Sequence, residues 1–199
     1  MYEMVVTPNP ILVKAVEPVK KFDKKLSEII KNMQKTLVAT SDPVGVGLAA
    51  PQVGIPLSVF MARPKDKGPI TTFINPEIIP QIDAEEENAD RRGNLRGSAP
   101  SSAKIRGSQK KGKLLEGCLS IPNIWGHVLR KKEITVSWQD EEGHKHTKNF
   151  KGFPAVIIQH EMDHLNGVLF TKHVMDQGEK LYKSHKDAEG VEVFDEVKL

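Results

Sequence analysis

The segment FPAVIIQHEMDHLNGVLF, residues 153–170, constrains this chain more than any other. Its apolar density through Ile158 predicts a buried helix, with Pro154 suited to a first helical turn and Gly167 to the position just past the last one. Such a helix must lie in the core, yet it carries His160, Glu161, Asp163 and His164. Residues four apart on a helix sit one turn above another, so both imidazoles can reach one metal ion from the same face. Glu161, beside them, is placed to handle the proton of an activated water. The competing reading is an accidental histidine pair, with Glu161 on a solvated face.

Two histidines leave a tetrahedral site short of a third protein ligand. Cys118 is the only cysteine of the 199 residues and the obvious soft donor, leaving a fourth position for water or substrate. Taken alone, a single cysteine reads as a small buried hydrophobe. Paired with HExxH, and lying in EGCLS rather than a CxxC pair, it reads better as a ligand. A second glycine-rich stretch, GVGLAAPQ at 45–52, lacks both the final glycine of a dinucleotide fold and the lysine of a phosphate loop. It fits a tight structural turn or a close approach of backbone amides to a ligand. Gln52, if directed inward, offers an amide donor to a developing oxyanion.

Around these motifs the pattern is that of one domain. Leu26, Ile29, Ile30, Met33 and Leu37 recur at helical spacing after a start at Asp23 or Phe22, with Ser41-Asp42-Pro43 as the stop. Short strands are expected at 57–61 and 70–74, the second ended by Asn75-Pro76. A hairpin is expected with Ile134, Val136 and Trp138 on one face, an Asp140-Glu141-Glu142-Gly143 turn, and a polar strand through Phe150. Residues 172–188 have weak helical potential interrupted by Gly178, and the tail alternates as a short strand. Residues 83–113 contain no aromatic and no sustained period, and they read as a mobile surface insertion.

Charge narrows the function classes. Lys and Arg exceed Asp and Glu by three, and residues 83–113, with eight basic and five acidic groups, carry the whole excess. The remainder balances, so no basic binding face is expected, and without interleaved aromatics the basic residues of 83–113 read as a solvated loop rather than an RNA contact. Apolar runs too short to span a bilayer, no secretory leader and a single cysteine together predict a protein of a reducing compartment. His127, His144, His146, His173 and His185 lack an arrangement like that of the HExxH pair and read as surface or packing residues, although His144 and His146 share one face of a strand. Trp125 and Trp138 read as packing groups.

Together, the ordered motifs GVGLAAPQ, EGCLS and QHEMDHLNG closely resemble the peptide deformylase family over the body between about residues 7 and 170. The resemblance implies an α+β fold, with mixed or antiparallel sheets packed around a central HExxH-bearing helix. It implies a single catalytic domain spanning 1–199, with the insertion at 83–113 and a divergent C-terminal extension at 171–199. It implies removal of the N-formyl group from formyl-methionyl nascent peptides in the cytoplasm of a bacterial-type cell, by a monomer with transient ribosome association at most. Neither a membrane nor a specific nucleic-acid sequence is implied as a partner. Cys118, His160 and His164 correspond to the metal ligands, of Fe2+ in cells with Ni2+, Co2+ or Zn2+ able to substitute. Glu161 corresponds to the general base and later acid, and Gln52 and the Leu119 amide to the oxyanion donors. Val46 and Gly47 correspond to the backbone that pairs with an extended substrate, and Val46, Leu114, Phe153, Val156 and Ile157 to the walls for the methionine side chain. Glu116 and Gln159 correspond to supporting residues.

Three departures from the family pattern stand out, the first being that the insertion at 83–113 is much longer than usual. Trp125 occupies a position where an arginine is common, and no long basic C-terminal helix follows Phe170, so docking on the ribosome through such a helix is not expected. Another metal-dependent amidase or peptidase, and a metal-stabilised ribosome-associated binding protein without turnover, are the competing functions.

Overall fold

The computed structural model describes residues 1–41, 44–80 and 113–198. The expected insertion, except Lys113, and part of the expected turn after the first helix lie outside the described residues.

Helix α1 (Lys24–Ala39) begins where Asp23 accepts a hydrogen bond from the Leu26 amide at 3.0 Å, which satisfies one of the unpaired donors of the first turn. Its buried face is Leu26, Ile30, Met33, Thr36 and Leu37, the helical spacing read from the sequence. Thr36 is the polar member of that face, and its hydroxyl bridges the Tyr2 amide and carbonyl at 2.9 and 3.0 Å. The N-terminal segment is thereby tied across the helix.

Strands β1 (Gly47–Ala49), β2 (Val59–Ala62), β3 (Thr71–Ile79), β6 (Glu133–Gln139) and β7 (Lys145–Lys151) form one antiparallel sheet in that spatial order. Strands β4 (Lys113–Cys118), β5 (Ile121–Leu129), β8 (Leu181–Lys186) and β9 (Glu192–Glu196) form a second, also antiparallel. Helix α2 (Phe153–Leu165) packs against β1, β2 and β7, and α3 (Phe170–Asp176) packs against β5. The fold is therefore α+β with antiparallel sheets. Between α2 and the first sheet lies a core of Phe60, Phe73, Ile134, Val136, Trp138, Ala155, Ile157 and Ile158, in which Phe60 and Phe73 stack at 4.5 Å. Each such large side chain gains on the order of 1.5–3 kcal/mol on burial. This is the energy that holds a helix bearing five polar side chains inside the protein.

Two expectations are corrected. Asn75-Pro76 does not end its strand: β3 runs on to Ile79 through a register shift between Ile74 and Glu77. Asn75 takes a left-handed φ of 49°, and its side chain bonds the Val19 amide and carbonyl and Gln139. Proline is tolerated at such a bulge because the ladder requires no N–H from it. The region 172–188 is likewise not one interrupted helix. Helix α3 stops at Asp176, and β8 pairs with β5, Trp125 opposite Tyr182.

Gly167 and Gly178 both follow helix ends with left-handed φ, 69° and 64°. A Cβ on Gly167 would lie 2.7 Å from Lys14 N and Val13 C, whereas one on Gly178 would meet nothing. Gly167→Ala is expected to cost roughly 1–3 kcal/mol more in urea unfolding than Gly178→Ala, since both share the conformational penalty and only the former adds backbone displacement. Equal losses would show that φ alone sets the cost.

Candidate metal centre

Three elements bring the site together. Cys118 ends β4 at a register shift, pairing with Ile121 across the turn that contains Leu119 and Ser120. His160, Glu161 and His164 come from α2, and Gln52 from the single 3-10 turn Ala50–Val53 after β1. The extended N-terminal segment ties two of these together: the Val5 amide donates to the Gln52 carbonyl at 2.8 Å, and the Thr7 amide to the Ser120 carbonyl at 2.9 Å.

The ligating atoms of Cys118, His160 and His164 all lie within 4.8 Å of one another. The Cys118 sulfur is 3.1 Å from His164 Nε2, and the two imidazoles meet edge to face at 5.1 Å. His160 Nδ1 is 3.0 Å from Glu116 Oε2. That contact commits Nδ1 to the carboxylate and leaves Nε2, on the other side of the ring, free to ligate. One thiolate and two imidazoles are a borderline-soft donor set that fits Fe2+, Ni2+, Co2+ or Zn2+, with a fourth position left open. Three of the sequence-predicted ligands are thus brought together.

Glu116 is itself buried, and burial alone would raise its pKa. Hydrogen bonds from Arg130 and His160 outweigh that and hold it at about 2. Arg130 engages both carboxylate oxygens, Nε to Oε1 at 2.8 Å and Nη2 to Oε2 at 2.9 Å, and its Nη1 donates to Asp163. Asp163 in turn lies 2.9 Å from His173 Nε2. This network of Arg130, Asp163 and His173 was not foreseen. Arg130 stands 14 residues from Glu116 and 33 from Asp163, in a sequence context with no motif. His173, read as surface or packing, joins the network. Gln159 fixes the helix from outside, donating to the Lys131 carbonyl at 2.8 Å and accepting from the Lys131 amide at 3.1 Å.

Glu161 is 4% exposed, and its Oε2 has no hydrogen-bond partner among the described residues. Burial is the main reason its pKa is pushed up to about 7. Its other oxygen, Oε1, occupies the space where a Cβ on Gly47 would sit, with only 2.2 Å between them. A side chain at position 47 would therefore displace the Glu161 carboxylate, which gives Gly47 a role distinct from the backbone pairing expected of it. Gln52 is 2% exposed, its Oε1 accepts from the Ala49 amide at 2.8 Å, and its Nε2 is directed at the Cys118 sulfur, 3.5 Å away. The backbone contact thus fixes which end of the amide faces the site. Burial lowers the proton affinity of His160, but the Cys118 sulfur and Glu116 more than reverse it; His164 is driven well down by burial and by the charges of His160 and Arg130.

The expected pocket residues occupy varied environments. Val46 is half-buried, and its carbonyl accepts from the Arg63 amide at 2.7 Å. Val156 is buried, Ile157 belongs to the core around Phe60 and Phe73, and Leu114 and Phe153 are exposed. Trp125 packs over Gly117, its Nε1 donates to Ser184 Oγ at 3.0 Å, and its ring meets Phe194 edge-on, while Trp138 is buried in the core. Both are packing groups, as expected. No helix among the described residues is long and apolar enough to cross a membrane.

Comparison with known proteins agrees with this geometry. The polypeptide deformylase family model matches residues 1–180. A peptide deformylase of Christiangramia forsetii is 36% identical over 179 residues, 88% of this chain and 83% of the relative, and that of Thermotoga maritima is 37% identical over 174 residues, 87% of each. The crystal structure of the Thermotoga maritima peptide deformylase superposes with a TM-score of 0.66 at 35% identity, over 87% of this chain and 97% of that one. A peptide deformylase from Synechococcus elongatus in complex with actinonin gives 0.65 at 29% identity, over 89% and 88%. With EGCLS and HExxH delivering one cysteine and two histidines to a common point, the chain belongs to the polypeptide deformylase family.

Proposed function

We propose that this enzyme hydrolyses the N-formyl group of formyl-methionyl nascent peptides, releasing formate and a free amino terminus. The observation that carries the reading is the convergence, beside the Cys118, His160 and His164 donors, of a buried carboxylate with one unpartnered oxygen. A divalent ion held by those three residues would supply Lewis acidity, lowering the pKa of a water and polarising a carbonyl. Glu161, its proton affinity raised by burial, takes the proton of the attacking water and returns it to the departing amine. The negative charge that develops on the formyl oxygen is met by the Gln52 amide, and by the Leu119 backbone amide next to Cys118. The extended substrate pairs with the backbone at Val46 and Gly47, and its methionine side chain is received by Val46, Leu114, Phe153, Val156 and Ile157. Burial and dispersion would reward an unbranched thioether there.

Fe2+ is the proposed resident ion, with Ni2+, Co2+ or Zn2+ substituting, and the donor set supports each. The chain acts as a single catalytic domain spanning 1–199, with 83–113 an insertion outside the machinery and 171–199 a divergent extension. It works as a monomer in the cytoplasm of a bacterial-type cell, and acting on nascent chains entails a transient encounter with the ribosome.

The direct test compares formate release from a formyl-methionyl peptide with methionine release from the unformylated peptide, on one anaerobic, metal-quantified preparation. Formate release is expected. Methionine release alone would assign a peptidase, and binding of either peptide without turnover would assign a binding protein. Glu161→Gln is expected to keep the metal and lose at least about two orders of magnitude in kcat, because an amide neither accepts nor returns a proton. Gly47→Ala is expected to lose at least about tenfold in kcat with metal content unchanged, since the new methyl group displaces the Glu161 carboxylate. Full activity in the latter variant would mean that Glu161 works from another position.

A further inference from the structure

A buried arginine stands beside the entry to β1. Arg63 directly follows β2 and is 5% exposed. Its backbone amide donates to the Val46 carbonyl at 2.7 Å, and its side chain reaches one residue further back, Nη2 donating to the Gly45 carbonyl at 3.0 Å. The Gly45 amide in turn donates to the Thr40 carbonyl at 3.1 Å. A Cβ on Gly45 would lie 2.9 Å from Leu37 Cδ1, so this residue is pressed against the C-terminal turn of α1. The chain entering β1 is thus held between α1 and Arg63. Nε of Arg63 has no hydrogen-bond partner among the described residues. An ionised side chain is costly to bury, and what the guanidinium adds over an apolar group of like volume is the donor to Gly45.

Strand β1 lies at the edge of its sheet, next to β2. Because the Val46 carbonyl is turned to β2, the alternation of peptide groups along a strand directs those of Gly47 to the opposite edge. The Glu161 carboxylate lies against Gly47, and Leu48, Ala49 and Ala50 beyond it are fully buried. A peptide whose formyl group meets Glu161 therefore runs back along β1, past Val46 toward Val44, which is 44% exposed.

We propose that Arg63 is a positioning residue: through the Gly45 carbonyl it holds the edge formed by residues 44–47, and so sets the affinity for the substrate residues that follow the methionine. The inference rests on the reading of this backbone as the one that receives an extended formyl-methionyl peptide. The two contacts of Arg63 divide the work. The hydrogen bond from its backbone amide to Val46 survives replacement of the side chain, so Gly47 stays against Glu161 and the chemistry is kept. The bond from Nη2 is lost, which releases Gly45 and the residue before it, where the second and third residues of the peptide pass. Weakening of ground-state and transition-state binding alike raises KM and leaves kcat unchanged.

Steady-state formate release from formylmethionine amide and from a formyl-methionyl tripeptide, on metal-quantified Arg63→Met enzyme, tests this. Relative to the unsubstituted enzyme, KM for the tripeptide is expected to rise at least about fivefold, with KM for the amide and both kcat values within about twofold. Arg63→Lys, which keeps one donor on a shorter stem, is expected to fall between the two. Should Arg63→Met not fold, Arg63→Gln, whose donor falls short of Gly45, is expected to give the same selective rise. A part in stability alone would lower the thermal midpoint and leave the ratio of the two KM values unchanged. That result, or a fall in kcat with both KM values unchanged, would overturn the proposal. Absence of formate release by the unsubstituted enzyme would instead overturn the function on which the proposal rests, and the proposal with it.

Discussion

A single buried carboxylate, that of Glu116, joins the metal centre to the rest of the protein. It receives two hydrogen bonds from Arg130 and meets His160 Nδ1, so one residue of β4 fixes both the strand that ends in Cys118 and the imidazole opposite it. An ionised carboxylate in the interior is costly, and it is retained because a guanidinium and an imidazole compensate it together. Removing one partner of such a pair costs roughly 3–5 kcal/mol, far more than an exposed ion pair contributes. The EGC sequence is therefore one mechanical unit: Glu116 orients a ligand, Gly117 leaves room for the Trp125 ring, and Cys118 is a ligand.

The same economy of space governs the catalytic carboxylate. Helix α2 is held in place by apolar contacts with the first sheet, and its polar side chains emerge where β1 approaches it through a residue without a side chain. Glu161 fills the volume that any other residue at 47 would need, and burial there raises its proton affinity. Gln52 is oriented by a backbone amide three residues earlier, so a neutral donor points at the reaction zone without a charged partner. Position, protonation and donor direction all follow from how tightly β1, its 3-10 turn and α2 close on one another.

Much of this was legible from the chain alone, where the signal was local. The period of Leu26, Ile30, Met33 and Leu37 gave α1, the alternation of Ile134, Val136 and Trp138 gave β6, and HExxH with one cysteine gave the donor set. What escaped depended on partners distant in sequence. Asn75-Pro76 looked like a stop because its compensation, a bulge bonded to Val19 and Gln139, is 56 and 64 residues away. Leu181–Lys186 looked weakly helical because β5, which pairs with it, is remote. Arg130 carried no motif at all, and the importance of Gly47 lies in a volume that no single sequence displays.

The central claim is that one sulfur and two nitrogens from Cys118, His160 and His164 hold the metal. X-ray absorption at the zinc edge, on protein carrying one equivalent of Zn2+, tests it most directly. The account predicts one sulfur neighbour at about 2.3 Å and two imidazole nitrogens at about 2.0–2.1 Å. A spectrum of nitrogen and oxygen neighbours alone, with no sulfur, would contradict it.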